Sequence, residues 1–277
     1  MKDTDFDRIR ISCNDGVSTV TIDNPPVNVL DAHLMSEMRH FLLSVRNDPK
    51  TRVLVFQSAD PDFFIAHVDM TLIDEPYAFD DFVQGAPEGL NPFQAFGELL
   101  RNLPQVTIVK LAGLARGGGA EFISAADMVF AAEEQAGLAQ CEALMGITPG
   151  GGATQYLSSR MSRGRTLEII LGADLMDATT AERYGWINRA LPAKKLDAFV
   201  DQLAQNISAL PDGVIAAAKK AVPAADMREG FRREHEAWAG LFERPTAETL
   251  IRRGLKAGAQ TKEGEKKLEA LLRSLKI

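Results

Sequence analysis

With 277 residues, 45% of them hydrophobic and 25% charged, the chain can bury a full core without disulfides or a metal. Its formal net charge of −7 argues against a general nucleic-acid binder, which needs surplus Lys and Arg to displace phosphate counterions. Two cysteines (Cys13 and Cys141), a polar acidic start (MKDTDFDRIRIS) and no run of ~18 apolar residues predict a protein of a reducing, cytoplasmic compartment with no membrane span.

In chain order, IRIS and VSTVTI alternate around Asn14-Asp15-Gly16 and predict a hairpin over Ile9 to Ile22. NPPVNVLD reads as a loop ending at Asp31, which caps a helix carrying Leu34, Met38, Phe41, Leu42 and Val45. VLVF at 53–56 suits a strand buried on both faces. The segment from Thr71 to Pro104, with Phe79, Phe82, Phe93 and Phe96, reads either as a lid or as a surface helical excursion. VTIVKLAG from Val106 is a second strand, interrupted by Gly117-Gly118-Gly119 before the helix-like AEFISAAD; MVFAA at 128–132 is a third. GITPGGG at 146–152 is a loop feeding a helix near Ala153. This alternation predicts an α/β core over 1–192. Residues 193–277 read as helical, with Pro211, Pro223 and Pro245 at helix boundaries.

Charge is uneven. From Ile251 onward eight Lys or Arg, ending in Lys276, face three Glu, a local +5 that leaves −12 on the first 250 residues. The tail is either a solvated helix face or a docking patch for ligand phosphates or an acidic neighbouring subunit.

Common catalytic signatures are missing: no GxSxG, no GxxxxGK[ST], no HExxH, and four histidines without metal-ligand spacing, so no metal is expected. Neither glycine triplet completes GxGxxG, because Phe122 and Gln155 occupy the final positions, so a dinucleotide-binding oxidoreductase is a remote alternative. The 117–119 triplet can bring free N–H groups close to a ligand at a helix start, where they favour negative charge. It reads equally as a tight strand-to-helix turn. Glu121 lies just inside that helix and Glu142 just before GITPGGG; brought together, two carboxylates could hold a water, one taking its proton while the other protonates carbon. Spacing alone does not place them together.

These residues resemble the enoyl-CoA hydratase/isomerase (crotonase) superfamily. The resemblance runs from NPPVNVLD through VLVFQSADPDFFIAHVDM and LAGLARGGGAEFISAADMVFAA to ITPGGGATQYLSSRM and GADLMDATTAERYGWINRAL, about 200 residues in family order. It implies a crotonase-like spiral of ββα repeats, a C-terminal helical trimerisation region, homotrimers or homohexamers, and an acyl-CoA thioester substrate whose CoA is the only cofactor-like group. It implies an oxyanion hole at the Val68 and Gly118 N–H groups, catalytic Glu121 and Glu142, and substrate contacts from Ala66, His67, Asp69 and Gly117. One departure is His67, where the family usually has Gly; with φ > 0 it would be strained. His67 either points away or lines the pocket as an extra donor or base.

The expectation is a hydro-lyase adding water across the α,β double bond of an acyl-CoA. Its rivals are a crotonase-family isomerase or hydrolase, or an acyl-CoA-binding protein without turnover. Isomerisation would leave Glu142→Ala partly active, whereas hydration needs both acids.

Overall fold

Asp15 and Gly16 take φ of 46° and 79°, the left-handed pair that a two-residue hairpin turn requires. The flanking strands β1 (Ile9–Asn14) and β2 (Val17–Ile22) accordingly pair antiparallel, with Asn14 opposite Val17. The computed structural model describes residues 6–75 and 77–275. The first five residues of the acidic start and Lys276 lie outside them. Helix α1 (Ala32–Val45) begins where expected: Asp31 accepts from Leu34 N–H at 2.7 Å, and the expected apolar stripe is its buried face.

Three similar passes follow. The first is β3 (Val53–Ser58), β4 (Phe63–Ile65) and α2 (Pro92–Arg101); the second is β5 (Val106–Leu111), β6 (Leu114–Arg116) and α3 (Gly118–Ala125). The third is β7 (Met128–Ala132), β8 (Gly137–Ala139) and α4 (Ala153–Arg160). Each pass gives one strand to a six-stranded sheet, one to a four-stranded sheet, and a helix. After α5 (Arg163–Gly172) the chain adds β9 (Met176–Asp177), α6 (Ala178–Tyr184) and β10 (Arg189–Leu191), giving orders β1-β2-β3-β5-β7-β10 and β4-β6-β8-β9. This is the crotonase-like ββα spiral. Its central strands β3, β5 and β7 pair in parallel and are apolar on both faces because helices or the second sheet cover each side.

The helical remainder is α7 (Ala193–Ser208), α8 (Val214–Ala221), α9 (Arg228–Phe242), α10 (Pro245–Ala257), α11 (Lys262–Glu265) and α12 (Leu268–Arg273). It divides into parts with different jobs. Helix α7 lays Leu196, Val200 and Ala204 against Val53, Val55, Val106 and Ile108, sealing the outer face of the large sheet. Each such Leu or Val contributes about 1.5–3 kcal/mol by leaving water. Helix α8 buries no residue, and its first residue Val214 and the following Val222 are exposed. Helices α10 and α12, with Trp238 and Phe242 of α9, close around Met70, Cys141, Met145 and Ile147. Four of the eight basic residues of the tail pair within the chain: Arg252 with Asp74, Lys262 with Asp60, Lys266 with Asp62 and Arg273 with Asp174. Among the described residues no helix is long and apolar enough to cross a membrane.

Candidate active site

Two backbone segments meet at the end of the spiral. Leu30 N–H donates to the His67 carbonyl at 2.8 Å, and Asp69 N–H donates to the Leu30 carbonyl at 3.2 Å. This short parallel bridge turns the intervening Val68 N–H the opposite way, since a trans peptide points its N–H and C=O in opposed directions. Across from it, Gly117 adopts φ 46°, ψ −124°, a conformation that only glycine takes without strain, and so presents Gly118 N–H at the start of α3. A Cβ on Gly118 would lie 3.7 Å from Val68 N and only 2.4 Å from Val68 Cγ2, so the two segments are in contact. Among the described residues neither Val68 N–H nor Gly118 N–H has an acceptor. Both residues line a cavity of about 210 Å³, where the two N–H groups can receive negative charge developing on a ligand oxygen.

Glu121 and Glu142 line the same cavity. Gly151 N–H donates to Glu121 Oε1 at 2.7 Å and Ala153 N–H at 3.2 Å, so this carboxylate sits at the positive end of α4. Burial, then the charges of Glu142 and Glu234, push its pKa well above the ordinary carboxylate range, against the pull of those donors. Glu142 opens a 3-10 turn after β8, where the Gln140 amide can donate to both carboxylate oxygens at 3.0 and 3.1 Å. Burial raises its pKa to about 7; nearby Glu234 adds to the rise, while its own backbone N–H and His67 oppose it. Two carboxyls buried in one cavity, both raised above the ordinary range, retain a proton between them near neutrality. Cys141 also lines the cavity, but burial pushes its thiol up, away from the thiolate a nucleophile needs.

Sequence reasoning missed a third buried carboxylate. Glu234 of α9 accepts from Gly152 N–H at 2.6 Å, Thr154 N–H at 2.8 Å, Gln94 Nε2 at 3.1 Å and the Thr154 hydroxyl. It therefore shares the N-terminus of α4 with Glu121. A signal was present: Phe231, Glu234, Trp238 and Phe242 recur at helical spacing, placing one acid inside an apolar stripe.

The remaining expected residues divide. Gly117 and Asp69 line the cavity, although the Asp69 carboxylate is engaged by Thr71 N–H, the Thr71 hydroxyl and Gln260 Nε2. Ala66 does not reach it; its methyl is buried with Val27, Val29 and Phe63. His67 borders the cavity, but its imidazole turns away to Glu265, with Nε2 to Oε1 at 3.0 Å. The strain expected there is not found, because His67 is not among the residues of positive φ. In the Thr71–Pro104 segment Phe79 and Phe93, with ring centres 4.8 Å apart, border the cavity, while Phe82 and Phe96 pack into the core. Among the described residues, Asp7, His33 and Glu37 form one surface cluster with metal-ligand geometry, but Glu37 is occupied by Asp7 and Arg8 N–H at 2.7 and 2.8 Å.

The family model for enoyl-CoA hydratase/isomerase matches residues 12–265. Carnitinyl-CoA dehydratase of Proteus mirabilis (strain HI4320) is 30% identical over 228 residues, 81% of this chain and 84% of that protein. The Escherichia coli K12 protein of the same name is 31% identical over 213 residues, 76% and 78% of the two chains. A crystal structure from Streptomyces avermitilis, provisionally described as an enoyl-CoA hydratase, superposes with a TM-score of 0.95 at 58% identity, covering 97% of this chain and 98% of its own. Enoyl-CoA hydratase from Bacillus halodurans shares the fold, with a TM-score of 0.77 at 22% identity over 89% and 99% of the two chains. The ββα spiral, the order of its landmarks and these likenesses make the chain a member of the enoyl-CoA hydratase/isomerase family.

Proposed function

We propose that this enzyme adds water across the α,β double bond of a 2-enoyl-CoA thioester, or removes it in the reverse direction. One observation carries the reading: Glu121 and Glu142, both held neutral more readily than ordinary carboxylates, line one cavity with two open backbone N–H groups. The thioester oxygen lies between Val68 and Gly118 N–H. Water oxygen bonds to Cβ, and the π electrons move through Cα to the thioester as an enolate. One glutamate takes the water proton while the other delivers its proton to Cα, so the pair ends as it began, with one proton. The two N–H groups act on charge present only along the reaction path, where losing one such donor costs about 3–4 kcal/mol.

The acyl group extends toward Phe79, Phe93, Trp238 and Phe242. These rings suit an apolar chain. A second reading, an acyl group bearing a trimethylammonium as in a carnitinyl thioester, is favoured by the same faces with exposed Glu75 at the rim. Assembly into trimers or pairs of trimers fits the unburied α8 and its exposed Val214 and Val222.

The test follows loss of the conjugated enoyl-thioester absorbance of crotonyl-CoA by the wild type, Glu121→Gln and Glu142→Gln. The wild type is expected to bleach the band and each variant to lose at least ~10²-fold in rate. A wild type that binds crotonyl-CoA, and larger or cationic enoyl-CoAs, yet hydrates none would overturn the reading.

A further inference from the structure

His67 and Arg116 immediately precede the two donor segments, and both are buried. His67 Nδ1 faces the Val68 carbonyl at 2.7 Å and Nε2 faces Glu265 Oε1 at 3.0 Å. Both partners only accept, so both ring nitrogens must donate and the ring is an imidazolium. Arg116, fully buried, turns one edge of its guanidinium to Glu269 of α12 and presents Nη1 to the other oxygen of Glu265 at 3.6 Å. Glu265 itself is fully buried in α11. The neighbouring Gln260, at φ 67°, gives its N–H to Glu265 at 2.8 Å, gives Nε2 to Asp69 at 2.9 Å, and accepts Met70 N–H at 2.5 Å. Residues on both sides of Val68 are therefore held from residues 260–265.

From this we infer that Glu265 is a positioning residue: by hydrogen-bonding His67 on one side and attracting the Arg116 guanidinium by charge alone on the other, it sets the separation of the Val68 and Gly118 N–H groups. This deepens the proposed function and rests on the oxyanion role given there to those groups. Taking three or four charges out of water is costly, and apolar residues of similar volume often stabilise a fold as well or better. What an apolar filling could not supply is a fixed spacing between two backbone segments that meet the substrate oxygen. It also gives the His67 departure from glycine a use: the imidazolium is the loop-side half of the clamp, not a group aimed at substrate.

The experiment compares the wild type with Glu265→Gln and Lys262→Ala. Lys262 ties the same helix to Asp60 at the surface without touching either donor segment. Two readouts are taken: crotonyl-CoA hydration, and the enolate absorbance of bound acetoacetyl-CoA, whose Cα proton passes to buffer when an oxyanion site stabilises the enolate. Glu265→Gln is expected to lose on the order of 10²-fold in kcat with KM little changed, and to lose the enolate band. Lys262→Ala keeps both. Should Glu265→Gln not fold, His67→Ala severs the same tie from the loop side and is expected to lose the band likewise. A folded Glu265→Gln, or failing it His67→Ala, that retains wild-type kcat and band overturns the clamp. A wild type that forms the band but hydrates no enoyl-CoA defeats the hydration reading alone, and the clamp is then judged on the band. A wild type that binds acetoacetyl-CoA with no band overturns both.

Discussion

The spiral core and the C-terminal helices meet at the same cavity but contribute by different physical means. The core supplies geometry through its backbone: a bridge at Leu30 and a positive φ at Gly117 aim two N–H groups, and the start of α4 receives Glu121. The helices from Arg228 onward supply buried charge and cover: Glu234 beneath α4, Glu265 behind the donor loops, and Trp238 and Phe242 along the cavity. Backbone devices hold a site with little desolvation cost, whereas buried carboxylates are expensive and also shift the protonation of their neighbours. The site needs both, and each can be perturbed separately.

The largest effect is expected from the backbone side. In Gly118→Ala the new methyl meets Val68 Cγ2 at 2.4 Å and forces the donor segments apart. The rate of enoyl-CoA hydration should fall by ~10²–10³-fold, with acyl-CoA binding retained. A milder loss, with both N–H groups still converging, would mean that the core tolerates movement there.

Charge-side changes act on stability and pH. In the folded chain Glu142 keeps its proton to about pH 7, whereas its ordinary value is 4.5. Between those values the folded state binds more protons than the unfolded one, so stability falls as pH rises through the window, by at most about 3 kcal/mol. Glu142→Gln should remove that part of the slope and melt higher than the wild type at pH 8, measured by thermal unfolding from pH 4 to 8. Equal slopes in both proteins would show that Glu142 is already ionised in the fold. The smallest change belongs to Glu234→Gln. Its carboxylate raises the pKa of both Glu121 and Glu142, so removing the charge should lower both and move the alkaline limb of the pH–rate profile to lower pH. A limb unmoved, or moved upward, would show that Glu234 serves only to hold α4.

The same contrast governs what could be read from the sequence. The hairpin, α1 and the three central strands follow from alternation, a capping Asp31 and β-branched runs, all local signals. The family landmarks marked Glu121, Glu142, Val68 and Gly118, but spacing could not bring them to one cavity, because the spiral, not local periodicity, does so. Glu265 and Glu234 were less visible. KEGEKK reads as a solvated face, and only the stripe Glu265, Leu268, Leu272 hints that this one acid points inward. The orientation of His67 depends on a partner 198 residues away, beyond any local signal.

The central claim, that a glutamate pair adds water and not merely a proton, is tested most directly by isotope incorporation. Crotonyl-CoA is incubated with the enzyme in solvent enriched in both deuterium and oxygen-18, and the thioester product is weighed by mass spectrometry. The account predicts a 3-hydroxyacyl product carrying one oxygen-18 and one deuterium at Cα, with both labels suppressed together in Glu121→Gln and Glu142→Gln. Deuterium without oxygen-18 would show that the site enolises its substrate without hydrating it, and would contradict the account.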